Sequence, residues 1–366
     1  MRVLVDAREL EGLPTGVGRV LRGLIDAWPT GADRLLLATR EPLPNPPDHA
    51  DVELLPPRRF RRLPGILWEQ LVLPRLVRRH AADVLLAPNY SMPLRSPVPT
   101  AVCMHDCAPF AVPSDFSGRE RIRRQWGARV AARRAAFLFV GSNFAAEDAR
   151  RHLGVDESRL LRVVWGLRAR FEPPSEDRIR AVAERYGLDQ GPTVLFLGSR
   201  LGRRRIDRLI RQTAELRRRF PDLTMVVAGT DPQHLAGGQS ADHVRPLGFV
   251  PEPDLEPLLA AATVLAYPST YEGFGLPVLE ALACGTPVVA SNTTALAEIY
   301  SGRADLVEHE DSAGWIEALG HRIEQQRIGA DGRDLAAATR WAREQSWRPA
   351  AAAVRRRLHA SRESEA

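Results

Sequence analysis

The sequence predicts an α/β protein made of two Rossmann-like domains, each built on a parallel sheet. Short apolar runs of strand length alternate with segments of helical length along the whole chain. The alternation restarts after a pair of prolines near the middle of the sequence. With 366 residues the chain also exceeds what one hydrophobic core usually organises.

The predicted strands are short runs of apolar residues, as strands buried on both faces of a parallel sheet require. They are residues 3–5, 84–86, 100–103, 137–140, 194–197, 225–228, 264–266 and 288–290. Between them apolar residues recur at helical spacing, for example at Ile206, Leu209, Ile210 and Leu216. Ligands of such sheets bind at the carboxyl ends of the strands, so we expect two domains that face each other across a ligand-binding cleft.

The domain boundary is predicted at Phe171-Glu172-Pro173-Pro174, where a polar, proline-containing stretch interrupts the alternation. Residues 1–170 would form the N-terminal domain and residues 171–345 the C-terminal domain. In residues 346–366, Trp347, Ala351, Val354 and Leu358 have helical spacing. We expect this last segment to be a helix and tail that cross back and pack on the first domain.

Composition places the chain among soluble globular proteins, with 44% hydrophobic and 26% charged residues. There is no 18-residue apolar run, and Met1 to Asp6 is typical of a first strand, so we expect a cytoplasmic protein. The three cysteines, Cys103, Cys107 and Cys284, form no zinc-like pair and are expected to be reduced thiols. The sequence contains no Lys, which excludes Schiff-base chemistry through a side chain.

The chain is basic, with a formal net charge of +6 and a pI near 9.8. Arginines are dense at residues 58–62, 119–134, 203–205 and 355–357. Exposed helix faces and loops are the simpler interpretation, and peripheral contact of the first two clusters with an anionic membrane is the alternative. Residues 58–73 also mix basic and apolar side chains, as a segment that rests on a membrane does. We expect no nucleic-acid partner.

The most informative segment follows the strand at 264–266. It contains Glu272, a turn with Gly273 and Gly275, and Pro277, which suits the first turn of a helix. The amides of Gly273, Phe274, Gly275 and Leu276 would then favour a phosphate or the hydroxyls of a sugar. Glu272 would precede the helix and Glu280 would lie about one turn inside it. Taken alone, two glutamates would favour the simpler interpretation, in which they only cap and solvate a helix.

The full string from Glu272 to Ala290 closely resembles the E-x7-E region of glycosyltransferase family 4. The resemblance implies a GT-B fold and a retaining enzyme whose substrate is a nucleotide-diphosphate sugar, with no further cofactor. It also implies that Glu272 contacts the transferred sugar, that the amides of residues 273–275 bind its hydroxyls, and that Glu280 binds the ribose. No Asp-x-Asp metal motif follows a strand, so we expect a metal-independent reaction.

Further segments carry the same resemblance. Those in the second half are the strand-to-helix segment with Ser199, Arg200, Arg203 and Arg204, whose cations would hold the diphosphate, and Phe249 near the nucleotide base. The family usually has Lys at position 204 and often Arg at 199, which leaves open which arginine contacts phosphate. An exposed helix face is the alternative for these arginines, and an ordinary strand end for Phe249.

In the first half, Asp6-Ala7-Arg8 and the loop with Gly16 and Gly18 match the family's opening segment, whose amides would face the sugar or the diphosphate. A simple tight turn is the alternative. His105 follows the strand at 100–103 and is predicted to contact the sugar, with hydrogen bonding favoured over base catalysis. Ser142 is predicted to cap a helix.

The resemblance implies transfer of a hexose to a hydroxyl of a saccharide or lipid-linked saccharide bound by the first domain. The opening segment resembles bacterial members that build polysaccharides, so mannose from GDP-mannose is the first expectation and glucose from UDP-glucose the second. A nucleotide-sugar epimerase of the same fold and a non-catalytic nucleotide-sugar-binding subunit are the alternatives. Replacing Glu272 or Glu280 with Ala is expected to reduce transfer and leave the fold intact.

Overall fold

The computed structural model describes residues 1–13, 15–31, 33–55, 63–168, 171–229, 242–329 and 333–364. The chain divides into two compact units. The first unit is Met1–Arg170 together with Gln345–Ala366, and the second unit is Phe171–Glu344. The arginine cluster at 58–62 lies outside the described residues. Among the residues that are described, no helix has the length and apolar character needed to span a bilayer.

The first unit contains a seven-stranded parallel sheet in the order β3-β2-β1-β4-β5-β6-β7. Its strands are β1 (Arg2–Asp6), β2 (Arg34–Ala38), β3 (Val52–Leu55), β4 (Val84–Ala87), β5 (Thr100–Cys103), β6 (Phe137–Val140) and β7 (Leu160–Arg162). Its helices before the boundary are α1 (Gly16–Asp26), α2 (Gly65–Leu71), α3 (Leu73–Arg79), α4 (Ala108–Ala111), α5 (Gly118–Arg134) and α6 (Asn143–Leu153). Ser142 caps α6 as predicted, since its hydroxyl accepts the amide of Ala145 at 3.0 Å.

The second unit contains a six-stranded parallel sheet in the order β10-β9-β8-β11-β12-β13. Its strands are β8 (Thr193–Leu197), β9 (Thr224–Ala228), β10 (Val244–Gly248), β11 (Val264–Tyr267), β12 (Val288–Ser291) and β13 (Asp305–Val307). Its helices are α7 (Glu176–Tyr186), α8 (Ile206–Leu216), α9 (Glu252–Ala261), α10 (Leu276–Ala283), α11 (Thr294–Tyr300), α12 (Ser312–Arg327) and α13 (Arg333–Glu344). Two parallel-sheet α/β units confirm the predicted fold class.

The core of the second unit lies between its sheet and the helices α8 and α12. The buried faces of β8, β9 and β11 meet Leu209 and Leu216 of α8 and Trp315 of α12. Leu209 and Trp315 are almost fully buried, and the apolar stripe of α8 is the one predicted from its spacing. This packing fixes the helix that begins beside the carboxyl end of β8.

The chain ends in helix α14 (Trp347–Glu363), which belongs to the first unit. Its buried residues include Trp347, Ala351, Val354 and Leu358, the four that define its predicted apolar stripe. The Trp347 ring fills the space beside α1, because a Cβ at Gly23 would lie 2.3 Å from its Nε1. Buried Asp33 accepts hydrogen bonds from Arg355 at 2.7 Å and from Trp28 at 3.2 Å.

The strand order of each sheet reverses at one point. In the first unit the reversal lies between β1 and β4, and in the second unit between β8 and β11. The chain leaves the carboxyl ends of these strand pairs in opposite directions, which opens a crevice where ligands of parallel sheets bind. The residues after β8 and β11, and those after β1 and β4, are therefore the places to look for sites.

Candidate functional site

In the second unit, the loop after β11 leads into α10 through a left-handed glycine. Gly275 has φ +91° and precedes Leu276, and Pro277 stands in the first turn of the helix as predicted. The Tyr300 hydroxyl donates to the carbonyl of Gly275 at 3.0 Å. A Cβ at position 275 would lie 2.5 Å from Cδ2 of Leu296. Helix α11 therefore holds the loop in place, and only glycine fits at this point.

Glu272 lies within this loop and is buried. Its Oε1 accepts hydrogen bonds from the Tyr267 hydroxyl at 3.1 Å and the Ser269 hydroxyl at 2.9 Å. Its own amide donates to Oγ1 of Thr294 at 3.2 Å. The carboxylate is thus held between the end of β11 and the start of α11, and its orientation is fixed before any ligand arrives.

Arg204 is the cation that faces Glu272. Its Nε lies 3.5 Å from Oε1 of Glu272, with the two side chains only 17% and 11% exposed. Its guanidinium also lies 5.9 Å from the centre of the Tyr267 ring. Burial opposes the charge, but Tyr267 and Glu272 outweigh that effect, so the pKa of Arg204 is raised and the cation is retained.

The end of β8 leaves space for this cation. A Cβ at Gly198 would lie 1.9 Å from Nη1 of Arg204, so a side chain at 198 would displace the guanidinium. The short 3-10 turn Gly202–Arg204 aims the arginine back toward Gly198. Thr270 ties the two loops together, because its amide donates to the carbonyl of Arg203 at 2.8 Å. The reversal between β8 and β11 therefore holds a largely buried arginine side chain beside a buried glutamate.

The structure separates the three predicted phosphate-binding arginines. Arg204 is placed against Glu272, and Arg203 is half-buried, with its carbonyl accepting the amide of Thr270. Arg200 is exposed and pairs with Asp207 at 2.9 Å, and Ser199 is exposed beside it. Arg204 is consequently the arginine best placed for an anion at this strand end.

The remaining predicted residues of the second unit lie around the same strand ends. Glu280 is half-buried in the second turn of α10, and Phe249 is 45% exposed just after β10. The amides of Gly275 and Leu276 have no acceptor within the described part of the chain. Gly273 and Phe274 are buried in the loop itself.

In the first unit, the predicted glycines have different surroundings. Gly18 is buried, and its amide donates to Oγ1 of Thr15, the N-cap of α1, at 2.9 Å. A Cβ there would lie 2.5 Å from the carbonyl oxygen of Glu9, so this glycine permits close packing of the preceding turn. Gly16 is exposed at the start of the helix. Because the Thr15 cap already accepts the Gly18 amide, a ligand could bind that amide only if this hydrogen bond gave way, and the predicted contact stays a prediction.

His105 is 8% exposed, and both ring nitrogens have neighbours. Nε2 lies 2.7 Å from the carbonyl oxygen of Pro88, and Nδ1 lies 3.8 Å from Sγ of Cys103. Burial lowers the pKa of His105, so the neutral imidazole is favoured and Nε2 donates to Pro88. Contact of a ring nitrogen with a sugar would require one of these interactions to give way, and that role stays a prediction.

Two sequence profiles match the chain. The profile for glycosyl transferases group 1 matches residues 191–325, and the profile for glycosyltransferase family 4 matches residues 14–166. The O-antigen chain mannosyltransferase B of Escherichia coli is 30% identical over 261 residues, which cover 69% of this chain and 67% of that protein. The chain belongs to glycosyltransferase family 4. The predicted family and the predicted hexosyltransferase activity are thereby confirmed.

Another relative matches a shorter part of the chain. A GDP-mannose-dependent α-(1-6)-phosphatidylinositol monomannoside mannosyltransferase of Mycolicibacterium smegmatis is 35% identical over 176 residues, or 44% of this chain and 46% of that protein. Among solved structures, Anabaena HepE in complex with UDP and glucose superposes with a TM-score of 0.75 at 20% identity, covering 98% of this chain and 100% of that one. The likeness shows the GT-B fold.

Sequence reasoning missed several residues that build this glycosyltransferase's loops. Tyr267 and Ser269 hold Glu272, and Gly198 makes room for Arg204. The motif string carries no signal for Tyr267, which reads as the last residue of an ordinary apolar strand. A glycine directly after a predicted strand is a usable signal for close approach, and Gly198 has it.

Proposed function

We propose that this glycosyltransferase binds a nucleotide-diphosphate sugar at the β8 and β11 strand ends of the second unit. The observation that carries the proposal is the Arg204–Glu272 pair: a largely buried cation and a buried carboxylate, fixed at the point where the strand order reverses. A diphosphate needs a cation, and sugar hydroxyls need an acceptor such as a carboxylate. The Gly275 and Leu276 amides at the start of α10 add donors for an anion or a hydroxyl.

Each side chain is proposed to bind one part of the nucleotide-diphosphate sugar. Arg204 would hold the diphosphate with help from Arg203, and Glu272 would bind hydroxyls of the transferred sugar. Glu280 would bind the ribose, and Phe249, exposed after β10, would border the base. His105 is proposed to contact the sugar from the first unit once its Pro88 bond gives way. These assignments rest on the positions of the side chains and on the family pattern.

We infer that the reaction retains the anomeric configuration. The acceptor hydroxyl would attack the face that the diphosphate leaves and pass its proton to a phosphate oxygen, so no protein nucleophile is needed. Arg204 and the amides would stabilise the charge that develops on the leaving group. We propose that this occurs without a divalent ion. Turnover lost in EDTA and restored by magnesium or manganese would refute that part.

For the donor, GDP-mannose is the first proposal and UDP-glucose the second. Two relatives are named as mannosyltransferases, one of them GDP-mannose-dependent, and the structural neighbour is in complex with UDP and glucose. A thermal-shift screen of both donors is the direct test. A ligand at 100 times its dissociation constant stabilises the fold by about 2.7 kcal/mol, so the correct base should give the larger shift.

Transfer itself is tested by release of nucleoside diphosphate from the preferred donor, with and without a saccharide acceptor. Acceptor-dependent release supports a transferase. We propose that it acts in the assembly of a polysaccharide or glycolipid. Conversion of the donor to another nucleotide sugar without acceptor would identify an epimerase instead. Binding of donor without release under any acceptor would identify a non-catalytic subunit.

Peripheral contact with an anionic membrane is a separate proposal about the first unit. Helix α2 exposes Leu67 and Leu71, and the next helix, α3, ends in Arg78 and Arg79. Exposed apolar residues beside cations fit the surface of an anionic bilayer. Flotation with phosphatidylglycerol vesicles at low salt is the test. Failure to float there would exclude the contact.

A further inference from the structure

The first unit contains a cavity of about 530 Å³ at the reversal between β1 and β4. Its volume is in the range of small-molecule sites. Residues after β1, residues after β4 and the helices α2 and α5 all contribute to its wall. Those that matter for its chemistry are Asp6, Glu9, Glu69, Asn89, Ser91 and Trp126.

A buried charge network forms one part of the wall. Arg8 donates through Nε and Nη2 to the two carboxylate oxygens of Asp6, at 2.8 and 2.5 Å, and through Nη1 to the carbonyl of Gly65 at 2.8 Å. Glu69 accepts from Arg8 at 3.3 Å and from the Ser91 hydroxyl at 2.7 Å. Asp6 and Glu69 are more than nine-tenths buried. One arginine therefore serves two carboxylates, and this network carries an excess negative charge.

The remaining inner groups are also acceptors. Glu9 accepts the side-chain amide of Asn89 at 2.6 Å and pairs with no arginine among the described residues, whereas Glu11 pairs with Arg40 at 3.3 Å. Oδ1 of Asn89 is buried and has no donor partner among the described residues. On this inner wall four carboxylates therefore stand against Arg8 and Arg40, while Arg123 and Arg124 line the wall that α5 forms. A hydroxyl-rich neutral ligand would satisfy this inner wall, whereas a phosphate placed against the inner wall would be repelled by its carboxylates.

Helix α5 closes the other side of the cavity with a different chemistry. Trp126 is 42% exposed, although large aromatic side chains are usually well covered. Arg124 beside it is paired with Glu120 at 2.9 Å and lies over the Phe116 ring, and Arg123 is exposed. Gly127 lets α5 approach the opposite wall, because a Cβ there would lie 3.0 Å from Cβ of Ser91. The indole therefore lines the same cavity as the acceptor groups.

We propose that this cavity binds the reacting end of the acceptor as an uncharged pyranoside. The C–H face of the sugar stacks on Trp126, and its hydroxyls donate to Glu69, Glu9 and the Asn89 carbonyl. The same carboxylates discriminate against acceptors that carry a phosphate or a carboxylate on that ring. This assignment rests on the proposed transferase function, and it adds the chemical class of the acceptor and the residues that select it.

The kinetic test uses the full chain, the preferred donor and α-mannobiose as first acceptor among a panel of uncharged disaccharides. Trp126→Ala should raise the acceptor KM by about tenfold or more and leave the donor KM and the slow hydrolysis of donor unchanged. Trp126→Tyr should restore most of the acceptor affinity. Ile122→Ala is the matched control, since Ile122 is exposed one turn earlier on α5 and does not line the cavity.

A change in donor KM equal to the change in acceptor KM, or an unchanged acceptor KM in Trp126→Ala, would overturn the proposal. The charge component is tested by Glu69→Gln, which keeps a hydrogen-bonding side chain and removes one negative charge. This variant should bind α-mannobiose less tightly than the wild type does. The ratio of its affinities for α-mannobiose and mannose 6-phosphate should also be smaller. Equal binding of the two sugars by the wild type would contradict the proposed selectivity.

Binding without turnover separates this proposal from the proposed function. Saturation-transfer NMR should show α-mannobiose or another disaccharide of the panel contacting the wild type and losing that contact in Trp126→Ala, whether or not donor is consumed. Saccharide binding that depends on Trp126, combined with no nucleoside diphosphate release, would refute the transferase and keep the cavity assignment. Release of nucleoside diphosphate without Trp126-dependent saccharide binding would refute the cavity assignment and support the transferase.

Discussion

Replacing Glu272 should destabilise the second unit as well as stop the reaction, and the choice of substitution decides whether the two effects can be separated. Glu272→Ala removes the carboxylate that faces Arg204 and accepts from Tyr267 and Ser269. The guanidinium is then buried without its counter-charge. Removal of one partner of a buried ion pair costs about 3–5 kcal/mol. The expectation from the sequence, that alanine leaves the fold intact, therefore needs revision.

Glu272→Gln should behave differently. The amide oxygen can still accept from Tyr267 and Ser269, so the loss is confined to the charge and costs about 1–2 kcal/mol. For a unit of this size 1 kcal/mol shifts the midpoint of thermal unfolding by about 2–4 °C. Calorimetry should then show a shift on the order of 10 °C for alanine and only a few degrees for glutamine.

The control is Glu215→Ala, which removes an exposed glutamate that pairs with Arg218 in the same unit. Surface pairs contribute about 0–1 kcal/mol, so this variant should melt close to the wild type. Adding Arg204→Met to Glu272→Ala should recover part of the lost stability, because the stranded charge is gone. An alanine variant that melts within about 2 °C of the wild type would show that Arg204 does not depend on Glu272.

Three further outcomes are expected. Arg204→Lys should keep measurable transfer and Arg204→Met should lose about tenfold or more in kcat/KM, measured as nucleoside diphosphate release, because a charge remains only in the first. Gly275→Ala should lower the thermal stability by about 1–3 kcal/mol, since φ is +91° and the new Cβ would meet Leu296; an unchanged midpoint would refute this. Burial opposes ionisation of Asp33, but hydrogen bonds from Arg355 and Trp28 outweigh it and lower its pKa, so its contribution is present near neutral pH and is lost as pH falls below about 4. Asp33→Asn should therefore destabilise the protein at pH 7, and this effect should decline as the pH is lowered below the ordinary Asp pKa of 3.8, as followed by circular dichroism.

The strands that the sequence predicted were those with β-branched or aromatic runs flanked by turns. The signals were weaker for β2, β3, β7, β10 and β13, which were not predicted. Strand β2 is Arg-Leu-Leu-Leu-Ala, a composition equally typical of a helix, and only its pairing with β1 and β3 makes it a strand. Strand β10 contains Pro246, which is compatible with its edge position and its irregular register. Tertiary pairing, which local propensity does not contain, decided these elements.

The candidate site likewise contains residues that could be placed from the sequence and residues that could not. Glu272, Gly275 and Pro277 could be placed from the sequence because a strand, a turn and a helix start follow one another along the chain. The choice of Arg204 among three arginines could not, because it depends on the space left by Gly198 and on a loop nearly 70 residues later. The link between Arg8 and Glu69 is equally invisible to spacing, since 61 residues separate them.

The Arg204–Glu272 pair limits how the site can be dissected. A carboxylate that orders a loop and also faces a ligand gives two losses when it is removed, and activity alone does not distinguish them. The glutamine variant keeps the two hydroxyl donors satisfied, so a fall in turnover with a nearly unchanged melting midpoint would assign the charge of Glu272 to the reaction. A fall in turnover that tracks the loss of stability across the glutamine, alanine and double variants would instead assign Glu272 to the loop, and the role of sugar contact would pass to the amides of Gly275 and Leu276.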